Sequence, residues 1–294
     1  MATESLNLTE QLCLIRAHEP ERVAQALAER PLGPPVTELD RLLVIACDHP
    51  ARGALVAGGS PLAMGAREEL LRRCVTALSR PGVNGFLGAA DLVEDLTLLG
   101  ALDGKVVFGS MNRGGLAGAS FELDDRMTGY DAAGVYASRL DGGKMLLRLG
   151  YDDPRTADTL QSCAQAVDAL AERGLIAMVE PFVSRHWEGR VVNDLSPDAV
   201  ITSICVASGL GRTSAYTWLK IPLVEEMERV VGASTLPTLV LGGAVRADAD
   251  AARQDWSRAL ALPSVRGLVI GRSLLFPPDD DVAGAVDKTV GLLS

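Results

Sequence analysis

Eight short apolar runs recur along the chain, and longer amphipathic stretches separate them. The runs cover residues 42–46, 83–87, 106–108, 145–149, 176–179, 216–220, 238–241 and 267–270. Strands that alternate with helices form right-handed βαβ units and a parallel sheet, and eight such units close naturally into a barrel. The runs are almost continuously apolar, as expected for strands covered on both faces. The sequence therefore predicts an α/β fold, a (β/α)8 TIM barrel, for which 294 residues is an ordinary length.

The residues after the first run distinguish the barrel from a doubly wound sheet. A doubly wound nucleotide-binding sheet needs a glycine-rich phosphate-binding turn after its first strand. This chain has Cys47, Asp48, His49 and Pro50 at that place. The barrel is therefore the better interpretation.

Residues 1–40 precede the repeating pattern and are predicted to form an N-terminal helical extension, with residues 41–294 as the barrel domain. Thr9 is placed to cap a helix that continues to about residue 29. Pro31, Gly33 and two further prolines then end that helix. The first residues lack the basic and apolar segments of a secretory signal.

The composition of the chain argues against nucleic acid and membranes as binding partners. The chain has 38 acidic and 28 basic residues, a net charge of -10, which argues against binding nucleic acid because that depends on neutralising phosphates. No apolar run reaches the roughly 20 residues of a membrane helix, so no membrane association is expected. Five cysteines without a CxxC pair are typical of reduced, buried thiols in a cytoplasmic protein. Barrels of this kind often assemble, and we expect a homo-oligomer.

The lysines discriminate best among candidate catalytic residues, because the chemistry of a TIM barrel lies at the carboxyl ends of its strands. Of four lysines, only Lys220 ends an apolar run, and period-two alternation places it inward. A lysine sheltered there can act as a free amine that attacks a carbonyl. Lys105 and Lys144 precede the third and fourth strands and are expected at the opposite face, and Lys288 falls in the last helix. The alternative for Lys220 is an ion pair with a purely structural role.

Two carboxylates accompany this lysine at the predicted strand ends. Glu180 ends the fifth strand and could serve as a general acid and base, with a salt bridge to Arg148 or Lys220 as the structural alternative. Asp48 ends the first strand and could hold Lys220 or a substrate hydroxyl. His49 is expected to point the other way and to pack, so it is left out of the catalytic set.

Glycines at the ends of the last two strands predict a phosphate site. Gly242 and Gly243 follow the seventh strand, and Gly271 and Arg272 follow the eighth. Loops at these two places commonly bind phosphate in this fold, through backbone N–H groups that glycine leaves accessible. The candidates for binding a substrate carboxylate or hydroxyl are Arg148, Asn112 and Arg113.

These motifs resemble a known family. Asp48-His49, Lys220 after Trp218-Leu219, Gly242-Gly243 and residues 267–273 are together similar to the class I aldolases of the archaeal fructose-bisphosphate and tagatose-bisphosphate type, over roughly residues 41–276. Glu180 between Val179 and Pro181 resembles the strand-five glutamate of the tagatose-bisphosphate and sulfosugar branch. Phe182 stands where the fructose-bisphosphate branch has a tyrosine, and Arg148 is the nearest counterpart of a strand-four lysine near the Schiff base.

Longer segments resemble an actinobacterial-type subgroup associated with myo-inositol breakdown. They are residues 112–116, 121–126 and 274–278. The resemblance implies a phosphorylated sugar as substrate, specifically 2-deoxy-5-keto-gluconate 6-phosphate, cleaved to dihydroxyacetone phosphate and malonate semialdehyde. It implies no cofactor and no metal.

The mechanism expected from these residues is a retro-aldol cleavage in which Lys220 forms the Schiff base and Glu180 moves protons. A metal-dependent aldolase or epimerase on the same fold is one alternative, although the chain has only three histidines to act as ligands. A non-catalytic sugar-phosphate sensor is another, because a fold does not fix a function.

Overall fold

Eight parallel strands close a barrel in the computed structural model, which describes residues 6–112, 115–243 and 248–293. The strands are β1 (Leu42–Cys47), β2 (Gly85–Gly88), β3 (Val106–Ser110), β4 (Gly142–Leu149), β5 (Ile176–Trp187), β6 (Arg190–Asp194), β7 (Thr217–Ile221), β8 (Thr238–Leu241) and β9 (Val265–Ile270). Strands β1 to β5 pair in sequence, β5 continues to β7, and β9 pairs with β1 to close the ring. The predicted (β/α)8 TIM barrel is confirmed, and each apolar run overlaps one barrel strand.

Helices connect the strands around the outside of the barrel. They are α1 (Leu8–His18), α2 (Glu21–Glu29), α3 (Arg67–Leu78), α4 (Ala90–Leu98), α5 (Ala132–Ala137), α6 (Arg155–Ala171), α7 (Pro197–Ser208), α8 (Met227–Val231), α9 (Ala249–Leu260), α10 (Arg272–Leu275) and α11 (Val282–Val290), with short 3-10 helices at Val36–Glu38, Pro50–Arg52 and Ala63–Gly65. Within the described ranges, none of these helices combines the length and apolar character needed to span a bilayer.

Strand alternation divides the apolar residues into two layers. On β1, Val44 and Ala46 face the barrel interior, whereas Leu43 and Ile45 face the surrounding helices. Phe108 and other inward residues fill the interior. The barrel interior is therefore packed along these strands, and the layer at their carboxyl ends is the usual place for a site in this fold.

Strand β6 is an addition that the sequence analysis did not predict. Strand β5 was expected to end near residue 179, but it continues to Trp187 and pairs antiparallel with β6. Glu188 and Gly189, both with positive φ, form the two-residue turn between them, as expected for a tight hairpin whose turn matches the strand twist. The hairpin rises from the carboxyl end of β5, beside the mouth of the barrel.

The N-terminal extension is helical but differs in detail from the prediction. Asn7, not Thr9, caps α1: its Oδ1 accepts from the Glu10 backbone N–H at 2.9 Å, and the Glu10 carboxylate accepts from the Asn7 N–H in return. The expected single helix is two helices, because Pro20 begins a new one. The correction follows from a capping box that satisfies two backbone donors, which Thr9 alone does not offer.

Arg30 joins the end of this extension to the barrel. Its side chain is 2% exposed, and its guanidinium donates to the carbonyls of Leu102, Lys105 and Arg139 at 3.4, 3.1 and 2.7 Å. Arg16 of α1 also forms an ion pair with the buried Asp95 of α4 at 2.7 Å. The extension is thus packed against the barrel helices through buried charge as well as through apolar residues.

The cysteines only partly match the expectation of buried thiols. Cys47, Cys74 and Cys163 are buried, whereas Cys13 and Cys205 are exposed, and all five are free. Burial raises the pKa of the Cys163 thiol to about 12.

Replacement of Gly267 by alanine is expected to destabilise the barrel. Gly267 lies on β9 with φ +145°, and a Cβ there would lie 2.0 Å from the carbonyl oxygen of Leu42 on β1. We expect Gly267→Ala to lower the free energy of unfolding by about 2 kcal/mol or more, measured by urea denaturation. Gly209→Ala is the control, because the nearest atom to its Cβ is 3.6 Å away. Equal stability of the two variants would contradict the argument.

Candidate active site

A cavity of about 430 Å3 opens at the carboxyl ends of the barrel strands. Its lining includes Asp48 after β1, Lys144 and Arg148 of β4, Glu180 of β5 and Lys220 of β7. These side chains share the cavity because parallel strands present their carboxyl ends at one rim, and because alternate residues on each strand point inward. The cavity therefore brings together residues that are far apart in the sequence.

The base of the cavity holds four buried charged groups of alternating sign. The Nζ atom of Lys220 donates to Oε1 of Glu180 at 2.6 Å, and the Nζ atom of Lys144 forms an ion pair with the other carboxylate oxygen. Lys144 also donates to Oδ2 of Asp48 at 3.1 Å. All four residues are at most 8% exposed. Two cations and two anions sum to zero, which is what allows so many charges to be buried together.

Glu180 lies between the two ammonium groups. Burial alone would raise the pKa of its carboxyl group, but the positive charges of Lys144 and Lys220 outweigh burial and hold that pKa well below its ordinary value. Glu180 is therefore ionised at neutral pH and accepts from both lysines. A change in the charge of either lysine would shift the affinity of the Glu180 carboxylate for a proton.

Lys144 corrects two sequence-based predictions. It was expected at the opposite face of the barrel, and Arg148 was given as the counterpart of a strand-four lysine. Strand β4 begins at Gly142, so Lys144 lies inside the strand, and its long side chain extends inward to Glu180. The strand-four lysine beside Glu180 is therefore Lys144. This strand was predicted at the apolar run 145–149, which begins after Lys144. Gly142 and Gly143 are not hydrophobic, so they did not show that the strand begins earlier.

The four residues predicted to bind phosphate line the cavity beside Lys220, at the ends of β8 and β9. Backbone approaches closely there: a Cβ at Gly271 would lie 2.3 Å from the carbonyl oxygen of Ala46, and Gly243 has φ +68°. Burial lowers the pKa of Arg272, and the Asp48 carboxylate acts in the opposite direction. Gly242, Gly243, Gly271 and the half-buried cation Arg272 thus lie in one cavity, and phosphate binding there stays a prediction.

Of the predicted substrate-binding residues, Arg148 lines the cavity but is already paired with two carboxylates. Arg148 lines the cavity, but its Nε donates to Asp125 at 2.8 Å and its Nη1 lies 3.3 Å from Glu122. Burial alone would lower the pKa of Arg148, but these carboxylates outweigh it and raise that pKa. Arg148 therefore fixes the loop that carries both carboxylates to β4.

The side-chain amide of Asn112 is hydrogen-bonded to backbone groups. Its amide nitrogen donates to the carbonyls of Asp125 and Leu146 at 3.1 and 2.6 Å, and its oxygen accepts from the Leu146 N–H at 2.7 Å. It is not among the residues that line the cavity, and its proposed role in binding substrate stays a prediction. Arg113 lies outside the described residues.

Several residues of the cavity were not identified from sequence. His49, expected to point away, lines the cavity with Nδ1 3.6 Å from Oδ1 of Asp48. The hairpin contributes Phe182, Val191 and Asn193. A turn preference could have revealed the hairpin, but Glu188-Gly189 lacks the Asn or Asp that makes such a turn conspicuous.

The fold and this cavity together define a TIM-barrel protein with a lysine–carboxylate site at the carboxyl ends of its strands. The family model described as Cgl0159-like matches residues 40–290, and the chain belongs to that family. A crystal structure of Cgl0159 from Corynebacterium glutamicum (Brevibacterium flavum) is 50% identical, with a TM-score of 0.95 over 99% of this chain and 98% of that one.

Two aldolase structures share the fold at much lower identity. One is an archaeal fructose-1,6-bisphosphate aldolase with its catalytic lysine covalently bound to the carbinolamine intermediate of the substrate; it is 15% identical, with a TM-score of 0.65 over 92% of this chain and 97% of that one. The other is a fructose-bisphosphate aldolase from Slackia heliotrinireducens, 17% identical with a TM-score of 0.62 over 93% and 92%. None of the curated proteins matches the chain.

Removing the Arg148 guanidinium is expected to destabilise the protein, because it leaves Asp125 and Glu122 without their buried cation. We expect Arg148→Met to lower the free energy of unfolding by about 3–5 kcal/mol, measured by urea denaturation. Arg126→Met is the matched control, since Arg126 is mostly exposed and pairs with Asp124 at the surface. Its loss is expected to cost less than about 1 kcal/mol. A similar loss in both variants would show that Arg148 has no structural role.

The charge on Glu180 predicts how stability depends on pH. Its folded pKa is depressed, so its stabilising effect is fully present above the ordinary value of 4.5 and is lost as the pH falls below that value toward the folded pKa. We expect the stability difference between the wild type and Glu180→Gln, measured by urea denaturation, to narrow by about 2 kcal/mol between pH 7 and pH 3. Glu172→Gln, at an exposed carboxylate, is the control. A difference that stays constant with pH would refute the depressed pKa.

Proposed function

We propose that this protein is a Schiff-base aldolase that cleaves a phosphorylated keto-sugar or keto-sugar acid, with Lys220 as the nucleophile. The observation that carries the proposal is the 2.6 Å contact between Lys220 and Glu180 inside a cavity that also contains the glycine-lined strand ends. An amine, a proton acceptor and an anion site are the three elements that a class I aldolase needs. The two aldolases of the same fold support the reaction class.

Schiff-base formation begins with the transfer of a proton from the Lys220 ammonium. The neutral amine adds to the ketone, and the carbinolamine loses water to give an iminium ion that carries the positive charge of the original ammonium. The Glu180 carboxylate, which accepts from Nζ at 2.6 Å, is placed to take and return the proton. Its pKa rises while the Lys220 nitrogen is neutral, because one of its two neighbouring cations is then absent.

Carbon–carbon cleavage uses the same two groups. Glu180 removes the proton from the hydroxyl on the carbon two positions from the iminium carbon, the carbon–carbon bond breaks, and its electron pair passes to the iminium to give an enamine and a free aldehyde. Glu180 then returns the proton to the enamine carbon, and hydrolysis releases the ketone and restores the Lys220 ammonium. Lys144 stays cationic and keeps Glu180 oriented, with Asp48 holding Lys144 or a substrate hydroxyl.

The phosphate is proposed to bind at Gly242, Gly243, Gly271 and Arg272. Backbone N–H groups near glycine and one guanidinium give the donors that a phosphate monoester requires. Binding energy from this remote group would orient the ketone against Lys220. Among phosphorylated keto-sugar acids, 2-deoxy-5-keto-gluconate 6-phosphate is the proposed substrate, with dihydroxyacetone phosphate and malonate semialdehyde as products. The protein would then act in the cytoplasm in carbohydrate breakdown, as a homo-oligomer.

Borohydride reduction tests the proposal directly. With dihydroxyacetone phosphate present, we expect a stable adduct on the peptide that contains Lys220, detected by mass spectrometry. Lys220→Arg keeps the positive charge but cannot form the imine, and it should give no adduct and no release of triose phosphate from a panel of phosphorylated keto-sugars and keto-acids. Lys288→Arg, in α11, is the control and should behave as the wild type. An adduct on Lys144 instead, or none at all, would refute the assignment, and activity lost with EDTA would favour the metal-dependent alternative.

A further inference from the structure

The β5–β6 hairpin extends one face of the barrel interior into a wall above the site. Alternate residues of β5 face the cavity, from Glu180 through Phe182, and Ser184 continues the same face. Ser184 is paired with Asn193 on β6, so the side chain of Asn193 is on the cavity side as well. The wall is apolar apart from Asn193, because its other lining residues are Phe182, Val191 and Leu195.

The amide of Asn193 is held in one orientation. The buried hydroxyl of Ser184 donates to Oδ1 of Asn193 at 2.8 Å, which occupies the acceptor end of the amide. The NH2 group at the other end carries two donors and has no hydrogen-bond partner among the described residues. A donor that projects from an apolar wall into a cavity is a typical means of orienting one acceptor group of a ligand.

The position of this wall indicates which part of the substrate it contacts. Strands β8 and β9, with the glycine-lined strand ends, follow β7 around the ring, whereas β5 lies on the other side of β7 from them. A substrate bonded to Lys220 through its ketone and anchored at β8 and β9 through its phosphate would direct its remaining carbons toward the hairpin. That remaining part is released as the aldehyde.

The charged groups at the cavity wall below the hairpin do not favour a second phosphate. Arg148 is neutralised by Asp125 and Glu122, and Arg52 is 3.6 Å from the same Glu122 carboxylate. These two cations and two anions, all among the described residues, balance one another at this part of the wall. One amide in an apolar wall can bind a carboxylate or a hydroxyl, whereas a phosphate dianion needs net positive charge.

We infer that Asn193 is a specificity-determining residue that binds the carboxylate or hydroxyl of the aldehyde half, and that this half carries no phosphate. The inference rests on the proposed aldolase function and adds the residue that selects the aldehyde half. Ser184 is a positioning residue, since it acts only through the orientation of Asn193. A keto-sugar acid with a single phosphate is the substrate class that fits.

The condensation reaction tests the aldehyde half alone. Dihydroxyacetone phosphate is supplied as the donor with malonate semialdehyde, glyceraldehyde or glyceraldehyde 3-phosphate as the acceptor; the enamine carbon bonds to the aldehyde carbon, and Glu180 protonates the new oxygen. We expect kcat/KM for malonate semialdehyde to exceed that for glyceraldehyde 3-phosphate by at least about tenfold. Equal or better use of the phosphorylated aldehyde, or no use of any of the three, would overturn the inference.

Variants of Asn193 identify the residue responsible. We expect Asn193→Ala to raise KM for malonate semialdehyde by roughly tenfold to a hundredfold with a smaller change in kcat, which is the range for losing a hydrogen bond to a charged group. Asn193→Asp places a carboxylate against the acceptor carboxylate and should lower kcat/KM further, while glyceraldehyde is affected much less. Ser184→Ala should give a smaller effect of the same kind. Unchanged selectivity between the two aldehydes in all three variants would overturn the assignment.

A charge control separates this effect from a general disturbance of the hairpin. Val192→Asp introduces the same carboxylate one residue away on the outer face, opposite Arg185, and should leave the selectivity unchanged. Borohydride adducts with dihydroxyacetone phosphate are measured in parallel. If the wild type forms no adduct on Lys220, the aldolase proposal fails and the inference fails with it. If adducts form in the wild type and the variants but Asn193 does not alter the choice of aldehyde, only the inference fails.

Discussion

The ion-pair chain from Asp48 through Lys144 and Glu180 to Lys220 is the interaction on which the site depends. Each of these groups would be costly to bury alone, but in alternating order they form a neutral set contributed by three strands and by the residue that follows β1. The same arrangement keeps Glu180 ionised between two ammonium groups. The contacts that stabilise the buried Lys220 therefore also place a carboxylate against its amine, which is the arrangement that the proposed chemistry requires.

The barrel brings these four groups together because all of its strands run in the same direction. Parallel strands end at one rim, and the apolar interior below the rim excludes water from the charged layer. Loops then add what the strands cannot supply. The loop after β3 brings carboxylates to Arg148, the strand ends at β8 and β9 bring glycine backbone and Arg272, and the hairpin brings an apolar wall with one amide. The groups proposed to react lie on barrel strands, whereas the groups proposed to select the substrate lie at strand ends and on the added hairpin.

Much of the fold could be predicted from the sequence, because eight strands buried on both faces leave eight apolar runs. Lys220, Glu180 and Asp48 could be placed at the rim for the same reason. Lys144 could not, since two glycines before it hide the start of β4 from a hydrophobic pattern, and only a closed barrel shows how far its side chain extends. The backbone hydrogen bonds of Asn112 could not be predicted either, because a strand-end amide can bond to backbone as readily as to a ligand. The hairpin was missed because strand continuation past Val183 depends on pairing with β6, a contact that lies outside the repeat.

The hairpin has a further consequence that follows from its register. Its two strands are joined by a turn of only two residues, so the length of that turn decides which side chains of β6 face inward. One inserted residue would exchange the inner and outer sets, replacing Asn193 with its neighbours while every barrel strand kept its place. A related protein with a longer turn would therefore present different side chains to the cavity, without any substitution among the lysines and carboxylates beneath.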